Sequence, residues 1–234
     1  MTSAGFGRQL ALPLPHEPRY GADFIAADSN EEARAWLARG EAWPQRRLAL
    51  WGEAGTGKTH LLRLWAASVG AELLGGPALR GPAGSPVRPV AIDDADACAD
   101  APALLHLLNS AAEAGRPVLL AGRVPPARWP VALPDLASRL RAILAVRIAP
   151  AEDDLLRTLF LRLAAERQVI VPARVQNWLL LRLPRTAAAV REVVARLDHA
   201  ALAAGGRITR ALAAEELAGL VTDADGTRPG AADD

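Results

Sequence analysis

The residues whose types and spacing could do chemistry lie between Gly52 and Thr59. This segment reads Gly-Glu-Ala-Gly-Thr-Gly-Lys-Thr and fits the pattern Gly-x-x-x-x-Gly-Lys-[Ser/Thr] in full. Glycines at this spacing let several backbone N–H groups turn toward one phosphate, and a helix that begins at the lysine adds a favourable dipole. The lysine reaches the β- and γ-phosphates, and the hydroxyl that follows it ligates Mg²⁺. The segment therefore predicts a nucleotide-binding loop.

The lysine of this motif is Lys58, the only lysine among the 27 lysine and arginine residues of the chain. A forked guanidinium does not readily replace a compact ammonium between phosphates, so lysine at this one position supports nucleotide binding. The motif says nothing about hydrolysis. It assigns nucleotide contacts to Gly52, Gly55, Thr56, Gly57, Lys58 and Thr59.

Two carboxylates form a second element of the predicted site. Asp93 and Asp94 close the apolar run 90–92, which is typical of a buried strand. We assign Asp93 to Mg²⁺ together with Thr59, and Asp94 to catalysis, where it would orient an attacking water. The alternative is a pair of acids that caps the following helix.

Strands that alternate with helices must position these residues. Buried strands are predicted at 48–51, 89–93, 118–121 and 143–148, and helices at 58–69, 101–114 and 135–141. Residues 70–89 have the composition of a loop, with at most a short strand near 73–74. The alternation predicts an α/β fold with a parallel sheet.

The ends of the chain differ from this central region. A helical pattern spans 23–40, with Ser29 and Asn30 as caps, and after Pro150 only helical patterns follow, at 152–167, 172–183, 186–204 and 209–221. We expect an extended tail over 1–20, a nucleotide-binding subdomain over 21–150, a helical subdomain over 151–222 and a disordered acidic tail over 223–234.

Composition excludes several classes of protein. The 234 residues are 51% hydrophobic and 23% charged, as in an ordinary soluble protein, and the longest uncharged stretch, 101–112, is too short for a membrane span. A net charge of +1 argues against a protein that mainly coats nucleic acid. The single cysteine excludes an internal disulfide framework, and the N terminus lacks a signal peptide's apolar segment. We expect a cytoplasmic protein.

Several segments resemble the DnaA-related AAA+ ATPases. Residues 48–62 resemble that family's nucleotide loop, and 23–30 its adenine-binding segment. Residues 138–140 are similar to the box that carries its arginine finger, and 190–192 to its sensor 2 site. The resemblance covers roughly 20–220. It implies an AAA+ P-loop NTPase, with a parallel sheet flanked by helices and followed by a small all-α lid.

The resemblance also implies roles for individual residues, with ADP or ATP and Mg²⁺ as cofactors. Arg139 would be the arginine finger and act on the nucleotide of a neighbouring subunit. In the strand 118–122, Ala121 and Gly122 stand where the family usually has a small polar residue, so we expect weak intrinsic hydrolysis. Further nucleotide contacts are implied for Phe24, Ile25, Asn30, His60 and Arg191.

The N-terminal segment Gln9-Leu10-Ala11-Leu12-Pro13-Leu14 resembles the sliding-clamp-binding motif of the Hda-like members of this family. Prolines keep such a tail extended, the glutamine amide can hydrogen-bond in a small pocket, and leucines fill an apolar cleft. The alternative is a tail that packs on its own domain. Few residues follow 221, so we expect no helix-turn-helix DNA-binding domain. The motif assigns clamp contacts to Gln9, Leu10, Leu12 and Leu14.

Three functions remain open at this point. The first, implied by the resemblance, is a negative regulator of replication initiation: ADP-bound, tethered to the DNA polymerase III sliding clamp, and stimulating hydrolysis of DnaA-bound ATP. Its contact with DNA would be indirect, through the clamp, and self-association remains possible. The second is an autonomous ATPase of the helicase-loader or remodelling type. The third is a clamp- or initiator-binding module whose nucleotide is structural.

Overall fold

The computed structural model describes residues 24–82, 84–203 and 208–224. The expected clamp-binding residues Gln9, Leu10, Leu12 and Leu14 lie outside these ranges, as do Asp23 and residues 225–234. Helices and strands follow one another as α1 (Glu31–Ala38), β1 (Arg47–Trp51), α2 (Lys58–Val69), β2 (Glu72–Gly75), β3 (Val90–Asp93), α3 (Ala101–Glu113), β4 (Val118–Gly122), α4 (Pro134–Arg141), β5 (Leu144–Arg147), α5 (Asp153–Glu166), α6 (Ala173–Leu180), α7 (Ala187–Ala203) and α8 (Arg210–Ala224).

The five strands form one parallel sheet in the order β2-β3-β4-β1-β5, which confirms the predicted α/β class. Successive residues of β1 point to opposite faces: Leu48 and Leu50 pack with α1 and α2, while Ala49 packs with α3 and α4. Strands that are apolar on both faces must be covered on both sides, so β1 and β4 lie inside the sheet. The loops that follow β1, β3 and β4 therefore share one edge.

The four helices after β5 pack around an apolar core of their own, and we call α5 to α8 the helical subdomain. Phe160 of α5 is fully buried in this core, with Val190, Val194 and Leu197 of α7 beside it. No helix among the described residues is long and apolar enough to span a membrane.

Three predicted elements differ in their bounds in the structure. Residues 24–27 are extended, a 3₁₀ turn covers Asp28–Asn30, and α1 begins only at Glu31. Asn30 stands at the N-cap position of α1, as predicted, but its side chain makes no capping hydrogen bond and donates to the carbonyl of Ile25. The predicted capping role of Ser29 is wrong, because its side chain donates to Glu152. The short strand expected near 73–74 is β2, which pairs with β3 along its whole length. The last helix, α8, continues to Ala224, into the predicted tail.

Candidate nucleotide-binding site

The phosphate loop joins β1 to α2 at the edge where the parallel strands end. Gly55 and Gly57 have φ values of +80° and +98°, in the left-handed region that favours glycine. At Gly52, an added Cβ would overlap the carbonyl oxygen of Ile148, so the backbone passes where no side chain fits. The N–H of Gly52 also donates to the carbonyl of Gly122 at the end of β4, at 3.3 Å. These contacts hold the backbone of the loop in one conformation.

Lys58 begins α2 and is only 8% exposed. Its Nζ donates to the carbonyls of Gly52 and Glu53, at 2.8 and 2.7 Å. Burial lowers the pKa of Lys58, while the nearby carboxylates of Asp94, Asp96 and Asp93 act to raise it. The ammonium therefore lies within the phosphate loop, as the motif predicts, and faces a group of acids after β3.

Thr59 and Asp93 meet across the site. The Thr59 hydroxyl donates to Oδ1 of Asp93 at 3.1 Å, and the backbone N–H of Asp94 donates to the same oxygen at 3.1 Å. Asp94 is exposed and has a φ of +47°, so the chain turns sharply directly after the strand. A hydroxyl and a carboxylate are oxygen ligands of the kind that Mg²⁺ prefers, and this donor pair fits the ion.

A cavity of about 480 Å³ lies between the phosphate loop, residues 24–29, α5 and α7. Its volume is within the range of small-molecule sites. The residues assigned from the sequence that line it are Phe24, Ile25, Gly55, Thr56, Gly57, His60 and Arg191. Six other assigned residues are not part of this lining. Gly52, Lys58, Thr59, Asp93 and Asp94 belong to the phosphate loop and the end of β3 beside it, and the sixth is Asn30.

One wall of the cavity is aromatic and cationic. The rings of Phe24 and His60 stack with centroids 5.3 Å apart and an interplanar angle of 25°. Burial lowers the pKa of His60, and the charges of Arg191 and Arg162 lower it further. Burial also lowers the pKa of Arg191. A neutral aromatic surface beside backbone N–H groups and cations suits a planar base that carries phosphates.

Asn30 hydrogen-bonds to the segment that forms this wall but does not line the cavity itself. It is 2% exposed. Its amide nitrogen donates to the carbonyl of Ile25 at 3.1 Å, and its amide oxygen accepts from the N–H of Ala27 at 3.3 Å. The asparagine therefore shapes the segment that carries Phe24 and Ile25.

Sequence reasoning missed most of the cavity wall formed by the helical subdomain. The helix over 152–167 was predicted, but the pattern does not indicate which of its polar residues face a ligand. Arg162 and Glu166 are one example: they form an ion pair with Nε 3.0 Å from Oε1, and both line the cavity. The lining residues that the sequence did not assign to the site are Ser29, Ala151, Leu155, Leu159, Arg162, Leu163, Glu166 and Ala187.

A carboxylate stands at the end of β4, where the sequence shows only Ala121 and Gly122. Oδ2 of Asp96 accepts from the N–H of Arg123 at 2.6 Å, and a Cβ on Gly122 would lie 3.1 Å from Cγ of Asp96. The only sign of Asp96 in the sequence is its position two residues after the acid pair. The end of β4 is therefore less apolar than its own residues indicate.

Arg139 lies on α4 and does not line the cavity. Its Nε is 3.4 Å from Oδ1 of Asp135, and 37% of its side chain is exposed. Helix α4 ends at Arg141, and β5 begins at Leu144, which pairs with Leu48 at the start of β1, so Arg139 lies toward the edge where the strands begin. The phosphate loop follows the opposite end of β1. The structure thus separates Arg139 from the chain's own site.

Comparisons with known proteins identify the fold. No model of a known protein family matches the sequence. Domain III of the Thermotoga maritima replication initiation protein DnaA is similar with a TM-score of 0.69 and 17% identity, over 84% of this chain and 94% of that one. AMPPCP-bound DnaA from Aquifex aeolicus gives a TM-score of 0.56 and 16% identity, over 71% of this chain and 61% of that one. A Thermotoga maritima RuvB mutant gives a TM-score of 0.63 and 19% identity, over 85% of this chain and 70% of that one.

These similarities show that the chain has the fold of DnaA domain III and RuvB, a parallel sheet flanked by helices. The chain spans less than two thirds of the Aquifex aeolicus DnaA chain.

Proposed function

We propose that the protein is an adenine-nucleotide-binding regulator of replication initiation that holds ADP and stimulates hydrolysis of ATP bound to DnaA. The observation that carries this proposal is the separation of Arg139 from the cavity. An arginine that stabilises transition-state charge must reach the phosphates, so Arg139 would serve a nucleotide held by a second molecule. The similarity of this fold to DnaA domain III supports DnaA as that molecule.

The chain's own nucleotide would be held by residues of both subdomains. The phosphate-loop N–H groups and Lys58 would bind the phosphates, while Phe24 and His60 offer a surface for the base. Thr59 and Asp93 would hold Mg²⁺, which neutralises phosphate charge when bound. DnaA with bound AMPPCP, an ATP analogue by its name, is a structural neighbour, which supports an adenine nucleotide here.

The N-terminal segment would tether the protein to its place of action. Gln9, Leu10, Leu12 and Leu14 would bind the sliding clamp, and the clamp would bring the protein to DNA. A protein that acts with these partners would work in the cytoplasm. The tether raises the effective concentration of Arg139 near DnaA, because both molecules then act at the same DNA.

The decisive experiment measures hydrolysis of DnaA-bound ATP on clamp-loaded DNA, with and without the protein. The wild type should accelerate hydrolysis, and Arg139→Ala should reduce the stimulated rate by about 10³-fold, since one arginine finger contributes that much. Arg141→Ala is the matched control, because Arg141 is exposed on the same helix. A variant with Gln9→Ala and Leu12→Ala should lose clamp capture and stimulation together.

Two results would contradict the proposal. The wild type could leave DnaA hydrolysis unchanged, or Arg139→Ala could stimulate as strongly as Arg141→Ala. Retention of ADP by Arg139→Ala is the control for folding, because Arg139 does not line the cavity.

The position of Asp96 favours a second candidate, an autonomous ATPase. This carboxylate stands at the end of β4 beside the phosphate loop and supplies the polar group that Ala121 and Gly122 lack. An autonomous ATPase would hydrolyse ATP rapidly without DnaA and would lose that activity in Asp96→Asn. Slow hydrolysis by the wild type alone, together with stimulation of DnaA, would favour the regulator.

A further inference from the structure

Residues 24–29 carry Phe24, and we call them the base-side segment. Ser29 joins this segment by hydrogen bonds to Glu152, directly before the helical subdomain. The backbone N–H and the hydroxyl of Ser29 donate to Oε1 and Oε2 of Glu152, at 2.5 and 3.0 Å. Both carboxylate oxygens are therefore engaged by one residue. Hydrogen bonds to an ionised acceptor are shorter and about twice as strong as neutral ones.

One partner of this contact lines the cavity, and the other directly precedes the helix that forms the facing wall. Ser29 is 8% exposed, lines the cavity and accepts a hydrogen bond from the N–H of Ala149 through its carbonyl, at 3.0 Å. Glu152 immediately precedes α5, which forms the facing wall with Leu155 and Leu159. The contact thus joins two walls from segments 123 positions apart in sequence.

The charge on Glu152 is favoured by its surroundings. Desolvation acts to raise its pKa, but hydrogen bonds from its own N–H and from Ser29 outweigh it, and the pKa lies below its usual range. The carboxylate is thus ionised at neutral pH.

We propose that Glu152 is a positioning residue of the nucleotide cavity: through Ser29 it holds the base-side segment against α5 and so slows nucleotide release. This inference rests on the proposed nucleotide binding. It adds Glu152 as the residue that sets the distance between the base-side segment and α5. A base stacked on Phe24 leaves more readily when the base-side segment and α5 separate. Breaking the contact lets them separate more often.

The test compares Glu152→Gln with Asp153→Asn, the matched control. Asp153 is the next residue, and its side chain is 74% exposed in an ion pair with Arg185. The readout is the dissociation rate of ADP carrying a fluorescent ribose label, chased by unlabelled ADP. Glu152→Gln should speed dissociation by about 10-fold, the order of one charge-assisted hydrogen bond, and leave association unchanged. Asp153→Asn should match the wild type.

Ser29→Ala is a second variant that keeps the N–H donor and removes only the hydroxyl. It should raise the dissociation rate less than Glu152→Gln does, and the double variant should be no faster than Glu152→Gln alone. Dissociation at the wild-type rate in both Glu152→Gln and Ser29→Ala would overturn the proposal. Additive effects in the double variant would also overturn it, because the two residues would then act separately.

Hydrogen exchange of the nucleotide-free protein tests the same contact without any ligand. Amides of residues 25–30 should exchange faster in Glu152→Gln than in Asp153→Asn, since the segment loses its anchor. Equal exchange in the two variants would overturn the positioning role. A wild type that binds no ADP would refute the proposed function, and the exchange experiment would still decide the role of Glu152.

Discussion

His60 shows how one residue connects the phosphate loop to both walls of the cavity. It follows Thr59 on α2, stacks on Phe24 and lies near the guanidinium groups of Arg191 and Arg162. Protonation would place a third positive charge beside two others in a partly buried site. The structure therefore favours the neutral imidazole, which leaves its ring free of charge for stacking.

The lowered pKa of His60 predicts a dependence of stability on pH. Below the ordinary histidine value of about 6.5 the unfolded chain binds a proton that the folded chain resists, so stability falls as pH drops. The loss ends once pH passes below the folded pKa. His60→Gln should reduce the drop in unfolding free energy between pH 7.5 and 5.5.

Urea denaturation at the two pH values measures this effect. The control is His199→Gln, because His199 is exposed on α7. A drop in unfolding free energy of the same size in wild type and His60→Gln would show that His60 does not carry the pH dependence.

The positions of some site residues could be predicted because their signal is local. Gly52 to Thr59 form one contiguous motif. In the structure Lys58 hydrogen-bonds within the loop and Thr59 hydrogen-bonds to Asp93, as the motif and the strand pattern indicate. The contact of Ser29 with Glu152 could not be predicted. It joins positions 123 residues apart, and in the sequence Ser29 has only the signal of a helix cap and Glu152 only that of the start of a helix.

At the scale of elements, the phosphate loop is packed against the start of α7. A Cβ on Gly55 would lie 2.7 Å from Cβ and 2.8 Å from Cγ2 of Thr186. Thr186 also accepts a hydrogen bond from the N–H of Ala189 through Oγ1, at 3.1 Å, and so caps α7. A change in the loop must therefore displace the helix that carries Arg191.

Gly55→Ala should weaken both the fold and nucleotide binding. Gly115→Ala is the matched control, because Gly115 has a φ of +63° and nothing within 4 Å of an added Cβ. Each variant bears a left-handed backbone cost of about 1–2 kcal/mol, but only Gly55→Ala also collides with Thr186. We expect a larger loss of unfolding free energy in Gly55→Ala and weaker ADP binding by calorimetry. Equal losses would show that the loop and α7 move independently.

The predictability of the elements follows their burial. The strands β1 and β4 have continuous apolar sequences because both faces are buried, and the pattern indicated both. The edge strand β2 is mostly exposed, so its sequence indicated little more than a loop. The pattern predicts too early a start for α1 because Ser29 is held by Glu152 and Ala149, distant in sequence, and Asn30 binds back to Ile25.

At the scale of the whole molecule, the sheet and the helical subdomain have separate apolar cores. Two clusters cover the faces of the sheet, and a third lies within α5 to α8. The nucleotide cavity lies where these bodies meet, and residues of both line it. A ligand there bridges the two subdomains and is expected to stabilise them together.

Thermal unfolding with ADP and Mg²⁺ tests this coupling. At a ligand concentration of 100 times Kd, binding stabilises the folded state by about 2.7 kcal/mol, which raises the midpoint of a chain of this size by roughly 5–10 °C. Lys58→Met should abolish the shift, because it removes the only ammonium side chain at the phosphate loop. Arg88→Met, an exposed cation outside the cavity, should keep the shift. If ADP and Mg²⁺ raise the unfolding midpoint of Lys58→Met as much as that of the wild type, the stabilising ligand binds elsewhere. If only one of the two cores gains stability, as judged by hydrogen exchange of α3 and α7, the cavity does not couple the subdomains.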